Sequence, residues 1–170
     1  MELTLIQEDA IQLRINDIAN EINRDYQNRS DIVFVCVLRG AFMFFSDLVK
    51  KIDIDIETEF IQASSYENGT SNQGLTIKSV LSNNVSGKTV FIVDDIVDTG
   101  HTLKSLSSIY RDLGASEIKT IALVCRPSSI NMVDYYGFQI GDEWIFGYGL
   151  DLASKKRTLK EIKYIEPNID

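Results

Sequence analysis

Histidine and cysteine are scarce in this sequence of 170 residues, and each shortage excludes chemistry. The single histidine, His101, cannot build a zinc site of the Cys/His type, and a hydrolase with a catalytic histidine would have to use that residue. The two cysteines, Cys36 and Cys125, each lie inside an apolar run. We therefore expect both to be reduced thiols buried in the core.

Long hydrophobic runs are also missing. The longest uncharged apolar stretches run about seven residues, whereas a bilayer-spanning helix needs about twenty. The amino terminus, MELTLIQEDAIQLRI, has neither a basic start nor an unbroken apolar segment, so it does not resemble a signal peptide. We expect a cytoplasmic protein without a membrane partner.

Positive charge is in short supply. Seventeen lysines and arginines stand against twenty-five aspartates and glutamates, which gives a net charge of −8. Such a surface repels phosphates and argues against a protein that grips nucleic acid or anionic lipid non-specifically. Any phosphate site must therefore be a local device of backbone amides, metal ions and a few cations.

What the sequence does contain is an alternation of strand and helix patterns. Helical spacing of apolar residues occurs within the first 25 residues and at 41–52 and 102–113. Continuous apolar runs, typical of strands buried on both faces, and shorter strand patterns occur at 32–38, 56–63, 75–81, 89–93, 117–125, 133–140 and 144–148. This order predicts an α/β fold: one open, mostly parallel central sheet flanked by helices on both faces.

Three segments follow predicted strands and should meet at the carboxyl edge of that sheet, where ligands bind. They are residues 38–40, 94–102 and 126–127. Asp94, Asp95 and Asp98 are costly to leave unpaired because like charges raise one another's pKa. A ligand rich in hydroxyl groups together with Mg²⁺ would resolve that repulsion.

The residues after these carboxylates suit an anion. Thr99, Gly100 and Thr102 are small and open a helix, so several backbone N–H groups can face one phosphate. The alternative is a solvated acidic loop in which Asp98 or Thr99 caps the helix. That alternative leaves unexplained the two carboxylates directly behind a buried strand.

Competing motifs fail on spacing or context. Residues 87–89 (GKT) resemble the end of a Walker loop, but they precede a strand and lack the first glycine. No G-x-G-x-x-G run exists. The triplet at 98–100 (DTG) matches aspartic proteases, yet it lies between a buried strand and a helix and has no second aspartate arm.

The run TVFIVDDIVDTGHTL at 89–103 resembles the phosphoribosyl-pyrophosphate signature of the type I phosphoribosyltransferases. Four further segments match the hypoxanthine-guanine subfamily in order: VLRGAFMFFSDL, ASSY, GFQIGDEWIFGYGLD and the following Arg157. The resemblance covers about residues 30–160. It implies a single domain over 1–170, with a core at about 25–130 and a small hood from about 1–20 and 130–165.

The resemblance implies a reaction in which a 6-oxopurine joins C1 of the ribose of phosphoribosyl pyrophosphate and pyrophosphate leaves, with Mg²⁺ as cofactor. Asp94 and Asp95 would hold the ribose hydroxyls, directly and through Mg²⁺. Asp98 would be the general base that faces the purine N7. The 5′-phosphate would bind the loop of Asp98, Thr99, Gly100, His101 and Thr102.

The resemblance assigns the other groups as well. Pyrophosphate would bind Leu38, Arg39, Gly40 and Arg157, with a non-proline cis peptide before the basic residue of that loop. The purine would meet Arg126, Trp144, Ile145 and Asp151, of which Asp151 would also anchor magnesium through water. Without the flanking match, Trp144 would be assigned to core packing.

The polar segment at 66–74 is an idle hairpin loop or a mobile lid on composition alone. The resemblance favours a lid that begins at Ser65 and Tyr66 and excludes water from the reaction. The family also implies a homodimer or homotetramer, for which the aromatic helix at 42–45 is a candidate interface.

This chain departs from the family pattern at Arg126, where the subfamily usually has a lysine that donates to the purine O6. Arginine also donates, but its planar fork is longer and not equivalent. The segment at 126–137 is shorter than the family pattern, and His101 replaces a lysine. These departures leave open the preference among hypoxanthine, guanine and xanthine.

Two alternatives compete with this function. One is a regulator of the same fold that senses phosphoribosyl pyrophosphate and binds nucleic acid; the acidic charge and Asp98 argue against it. The other is a transferase for adenine, orotate or uracil, against which the segment at 144–151 argues.

Overall fold

A computed structural model describes residues 1–65, 75–77 and 85–166. The first half contains β1 (Glu2–Ile6), α1 (Glu8–Tyr26), β2 (Ile32–Leu38), α2 (Phe42–Val49), β3 (Glu57–Ser65) and β4 (Leu75–Ile77). The second half contains β5 (Thr89–Val97), α3 (His101–Asp112), β6 (Glu117–Cys125), a 3-10 turn (Ile130–Met132), β7 (Tyr135–Gln139), β8 (Ile145–Phe146) and β9 (Ile162–Ile165).

The large sheet has the strand order β4-β3-β2-β5-β6-β7. Five neighbouring strands, β3, β2, β5, β6 and β7, are parallel. At the edge beside β3, β4 is antiparallel. The chain turns outward from β2 to β3 and later returns to place β5 on the other side of β2, so the strand order reverses between β2 and β5. The predicted α/β fold is confirmed, and the reversal locates the crevice in which such sheets bind ligands.

Both faces of the sheet are covered, which explains the continuous apolar runs. Along β2, Phe34 and Cys36 pack in the core formed with α1 and α2. Val33 and Val35 alternate with them and pack in a second core that contains Leu106 of α3. Because successive side chains of a strand point to opposite faces, a strand buried on both faces needs apolar residues throughout.

A second, antiparallel sheet has the order β1-β9-β8. The sequence patterns did not predict β1 or β9, because each is short and lacks a regular alternation of buried and exposed residues. They pair with each other from opposite ends of the chain, with Glu2 opposite Ile165. The range 130–165 that the prediction gave to a hood includes β7, which belongs to the large sheet.

Two strands differ in length from the strands that the sequence predicts, or are described only in part. The strand predicted at 89–93 continues to Val97, because β6 continues beside it and pairs Asp94 with Ala122 and Val97 with Cys125. Of the strand predicted at 75–81, the described part is β4. The remaining residues of that prediction, and the lid candidates at 66–74, lie outside the described residues.

Among the helices of the described residues, we find no candidate for a membrane-spanning segment.

Candidate active site

A cleft of about 260 Å³ opens at the carboxyl ends of β2 and β5, where the strand order reverses. It is therefore at the edge of the sheet that the sequence predicts for a ligand. Its lining residues are Val37, Leu38, Arg39, Gly40, Ala63, Asp94, Asp95, Ile96, Thr102, Asp151 and Arg157.

Asp94 and Asp95 form the most strained electrostatic feature of this cleft. Asp94 is 7% exposed, and its Oδ1 accepts a 3.0 Å hydrogen bond from the Asp95 backbone N–H. Burial, and then the neighbouring Asp95 carboxyl, raise the pKa of Asp94 well above its usual value, and burial also raises the pKa of Asp95. No described lysine or arginine forms an ion pair with either carboxylate. The pair therefore favours a cation or hydroxyl groups supplied from outside the chain.

The loop after β2 brings the backbone close to this pair. The peptide bond between Leu38 and Arg39 is cis, as the family resemblance implied. Gly40 lies so near Asp95 that a Cβ there would overlap the Asp95 carboxylate. Arg39 is exposed and lines the cleft, so this loop presents one cation and bare backbone to a ligand.

The amino end of α3 forms another side of the site. The residue that caps α3 is Gly100, with a φ of 76° and no capping hydrogen bond from a side chain. The alternative in which Asp98 or Thr99 caps the helix is therefore wrong. Thr102 lines the cleft, whereas Asp98 and Thr99 are exposed beside it. The backbone N–H groups of the first turn are free of side-chain caps and can bind an anion.

Asp151 and Arg157 close the cleft from the segment between β8 and β9. Arg157 Nη2 donates to Asp151 Oδ1 at 2.5 Å, and Arg157 Nη1 donates to the Gly149 carbonyl oxygen at 2.7 Å. Arg157 also lowers the pKa of Asp95, although burial outweighs this effect. The sequence placed both residues in the site but not their ion pair.

Arg126 contacts Asp98 and Glu143, which follow β5 and precede β8. Its Nε lies 3.8 Å from Asp98 Oδ1, and its Nη2 donates to the Glu143 carbonyl oxygen at 3.0 Å. Its Nη1 is buried and has no hydrogen-bond partner among the described residues. Trp144, adjacent to Glu143, is 69% exposed. The core-packing alternative for this tryptophan is therefore wrong.

The remaining predicted residues are placed as follows. Ile145 is buried in β8 and pairs with Tyr164. His101 is the exposed first residue of α3. Ser65 ends β3, with its backbone opposite Leu75. Tyr66 lies outside the described residues.

Sequence reasoning missed three apolar residues of the cleft wall, Val37, Ala63 and Ile96. Ile96 could have been found by extending β5 to residue 97. Cys36 lies nearby in β2, and burial, followed by the two aspartates, raises the pKa of its thiol to about 12. Such a thiol is not a nucleophile at neutral pH.

The donor set also decides which metal fits. No group of three or more histidine, cysteine, aspartate or glutamate side chains is clustered for a metal in the described part of the chain. Magnesium in phosphate-processing sites is held by one or two carboxylates and completed by substrate oxygens and water. Asp94 and Asp95, which form no ion pair among the described residues, fit that kind of site, whereas a cage made of protein ligands alone does not.

Comparisons with known proteins agree with this geometry. Residues 4–152 match the family model of the phosphoribosyl transferase domain. The chain is 35% identical to the hypoxanthine-guanine phosphoribosyltransferase of Bacillus subtilis over 99% of this chain and 96% of that protein. It is 37% identical to the bifunctional protein TilS/HprT of Listeria innocua over 99% of this chain, and it spans 26% of the length of that relative.

The solved structures give the same result. The crystal structure of a hypoxanthine-guanine phosphoribosyltransferase from Bacillus anthracis superposes with a TM-score of 0.89. The two chains are 36% identical, and the match covers 96% of this chain and 98% of the other. Sequence and fold thus agree, and the chain belongs to the hypoxanthine-guanine phosphoribosyltransferases of the phosphoribosyl transferase family.

Proposed function

We propose that the protein transfers the phosphoribosyl group of phosphoribosyl pyrophosphate to a 6-oxopurine: hypoxanthine, guanine or xanthine. The products are the purine nucleoside 5′-monophosphate and pyrophosphate. The observation that carries this proposal is the pair of adjacent carboxyls Asp94 and Asp95 in the cleft, of which Asp94 is buried and neither forms an ion pair with a lysine or arginine of the described residues. A sugar with vicinal hydroxyls and a magnesium ion would relieve that repulsion.

The donor would be held at both of its ends. The 5′-phosphate would bind the N–H groups of residues 98–102, where the positive end of the α3 dipole adds to the attraction. Pyrophosphate would bind the backbone of the loop at 38–40 together with Arg39 and Arg157. In this arrangement Asp94 and Asp95 hold the ribose between the two anions, which is positioning more than covalent chemistry.

Asp94 and Asp95, and Asp151 through water, would hold Mg²⁺, which would supply positive charge for the departing pyrophosphate. The bond between C1 of the ribose and the pyrophosphate oxygen breaks, and a bond from the purine N9 to C1 forms. Asp98 accepts the proton of the purine N7, which is a step worth about 10²–10⁴ in rate. The Asp98 side chain is 71% exposed, so its carboxylate is accessible to a bound purine.

The purine would lie between the two groups of site residues. Trp144 offers a free aromatic face for stacking, and the backbone of Ile145 can read the edge of the ring. Arg126 would donate to the purine O6, which is supported by its buried, unpartnered Nη1 beside Asp98. Ser65 and Tyr66 would begin the lid. The homo-oligomer, the cytoplasmic location and the division into core and hood stay predictions.

The test is a panel of four bases, namely hypoxanthine, guanine, xanthine and adenine, each incubated with phosphoribosyl pyrophosphate and Mg²⁺. Released pyrophosphate and the nucleoside monophosphate are measured together. We expect turnover with at least one 6-oxopurine and none with adenine. Absence of turnover with every base, together with retention of RNA or DNA in filter binding, would instead support the regulator.

A further inference from the structure

A half-buried hydrogen-bond cluster outside the cleft joins three parts of the chain. The Tyr148 hydroxyl donates to Asp47 Oδ2 at 2.6 Å, and Gln12 Nε2 donates to the same oxygen at 2.9 Å. Lys50 Nζ donates to the other oxygen of Asp47 at 2.7 Å. None of these four residues lines the cleft, so the proposed reaction does not use them directly.

Tyr148 has an unusual backbone. Its φ is +50°, in the left-handed region that bulky residues rarely adopt, and its side chain is buried with 2% exposed. Its N–H donates to the Leu159 carbonyl oxygen at 2.9 Å. Such conformations persist only where the surroundings determine them, and they cluster at functional sites.

The residues that follow Tyr148 lead straight into the active site. Gly149 lies so close to Gly40 that a Cβ at residue 149 would overlap the Gly40 carbonyl oxygen. The Gly149 carbonyl oxygen accepts the 2.7 Å hydrogen bond from Arg157, which in turn pairs with Asp151. Tyr148 is thus one residue from the contact that sets Arg157 and Asp151 against the loop at 38–40.

The charge state of the cluster makes its central hydrogen bond strong. Burial alone would raise the pKa of Asp47, but hydrogen bonds from Lys50, Tyr148 and Gln12 outweigh it, and the pKa is lowered. Burial, together with the bond to Asp47, raises the pKa of Tyr148. The acceptor is therefore ionised and the donor keeps its proton, which is the arrangement of a charge-assisted hydrogen bond.

We propose that Asp47 and Tyr148 are positioning residues for the donor substrate: they fix Asp151 and Arg157 against the loop at 38–40 and so set the affinity for phosphoribosyl pyrophosphate without touching it. This inference rests on the proposed function. The purine side is held separately, since Ile145 pairs with Tyr164 in the small sheet and Glu143 accepts a hydrogen bond from Arg126. The pair should therefore act mainly on the donor, and only through Asp151 on the purine.

The test compares Tyr148→Phe and Asp47→Asn with a matched control, Tyr26→Phe. Tyr26 is also buried and also donates to a carboxylate, Glu117 Oε1, at 3.2 Å, but at the amino ends of the strands. The KM values for donor and purine, and kcat, are measured for each variant. Thermal unfolding of each variant reports its stability separately.

We expect Tyr148→Phe and Asp47→Asn each to raise the KM for phosphoribosyl pyrophosphate about tenfold, the effect of one lost hydrogen bond to a charged group, and to change the KM for the purine less than about twofold. The double variant should raise the donor KM by no more than about twofold beyond either single variant, because both substitutions weaken the same contact. Tyr26→Phe should lower stability while leaving both KM values unchanged.

The inference is overturned if both variants keep the donor KM of the wild type, or if donor and purine KM rise equally. If Tyr148→Phe does not fold, Asp47→Asn decides alone, because it keeps the ring packing and the shape of the acceptor. An inactive wild-type protein in the base panel would refute the proposed function, which is a different outcome from an active wild type with unaffected variants.

Discussion

The two edges of the parallel sheet handle charge in opposite ways. At the amino edge, Arg29 donates to both oxygens of Asp31 at 2.8 and 2.9 Å and to Thr89 Oγ1 at 2.7 Å. Glu117 accepts from Tyr26 there, and Lys88 Nζ lies 2.6 Å from Glu57 Oε1. At the carboxyl edge, the buried Asp94 and the half-buried Asp95 are adjacent and form no ion pair with a lysine or arginine of the described residues.

The same strands carry both edges, so the difference cannot come from the fold. Paired charges at the amino edge favour the folded chain, whereas the carboxyl edge holds two adjacent carboxyls whose repulsion Arg157 relieves only in part. Local conflicts of this kind, inside an otherwise consistent structure, are expected at functional sites. The distribution of charge therefore points, independently of the sequence motifs, to the carboxyl edge as the edge that binds a ligand.

The largest expected effect comes from removing divalent cations. A chelator such as EDTA should abolish turnover, because the carboxyl edge then keeps its repulsion and the leaving pyrophosphate loses its counter-charge. Added Mg²⁺ should restore turnover. Pyrophosphate release measures both. Thermal unfolding of the substrate-free protein reports any change of stability separately from the loss of turnover; persistent activity in EDTA would contradict the role given to the carboxylates.

Replacing the proposed general base is expected to act almost as strongly. Asp98→Asn should lower kcat by about 10²–10⁴ because the amide cannot accept the purine proton. Binding of phosphoribosyl pyrophosphate, measured by calorimetry, should survive. Asp31→Asn makes the same chemical change at the amino edge and should leave kcat unchanged. Full activity of Asp98→Asn would remove this residue from the mechanism.

Arg126→Lys should change which base is preferred. A lysine offers a shorter, single point of charge instead of a planar fork, so the ratio of kcat/KM among hypoxanthine, guanine and xanthine should shift by about tenfold, the value of one altered polar contact. Arg29→Lys is the matched change at the amino edge, and it should leave the ratios as they are. Equal ratios in wild type and Arg126→Lys would contradict the contact with the purine O6.

The smallest effects concern stability, and they have opposite signs at the two edges. Asp94→Asn should raise the free energy of unfolding by about 1–3 kcal/mol at pH 8, the range for relieving an uncompensated buried group, while turnover is lost. Glu117→Gln should lower it, because Tyr26 and Thr89 lose a charged acceptor. Urea unfolding measures both. A less stable Asp94→Asn would show that the pair is compensated in the folded protein.

The pH dependence of stability should separate the edges as well. The pKa of Asp94 is raised from an ordinary 3.8, so the folded state keeps a proton that the unfolded state loses, and stability falls as pH rises from that value through the folded pKa. The hydrogen bond from Arg29 lowers the pKa of Asp31, so its contribution is lost as pH falls below 3.8. Asp94→Asn should flatten the first slope and Asp31→Asn the second in urea unfolding across pH.

Much of the large sheet could be predicted because its strands are covered on both faces. β2 is buried at six of its seven residues, which is why its sequence, IVFVCVL, is apolar throughout. Once the order of strands and helices is known, parallel strands bring their carboxyl ends to one edge. The meeting of residues 38–40 with Asp94 and Asp95 follows from that rule and is what the structure has.

The small sheet could not be predicted in the same way. β1 and β9 owe their strand conformation to each other, and the partners lie at Glu2 and Ile165, too far apart for any local pattern. The carboxyl end of β5 was also predicted too early, because two aspartates usually mark a turn, whereas here pairing with β6 continues the strand through them.

Within the site, residue types were easier to predict than contacts. The resemblance supplied the cis peptide and the identity of Asp151 and Arg157, but their 2.5 Å ion pair depends on how the segment from Gly147 onward folds back. The bond between Tyr148 and Asp47 joins residues 101 positions apart. Such contacts follow from tertiary packing, on which periodicity and spacing carry no information.

The pairing of β1 with β9 has a consequence for the order in which the molecule opens. It closes a loop of nearly the whole chain, so it forms at a greater entropic cost than the pairing of β2 with β3, and it buries only one residue of each strand, Ile6 and Ile162, in return. Backbone amides of the small sheet should therefore exchange with deuterium sooner than those of β2 and β5. The segment that carries Asp151 and Arg157 lies between β8 and β9, two strands that are expected to exchange early. The hydrogen bond from the Tyr148 hydroxyl to Asp47 then holds this segment to α2, which packs on the slowly exchanging core.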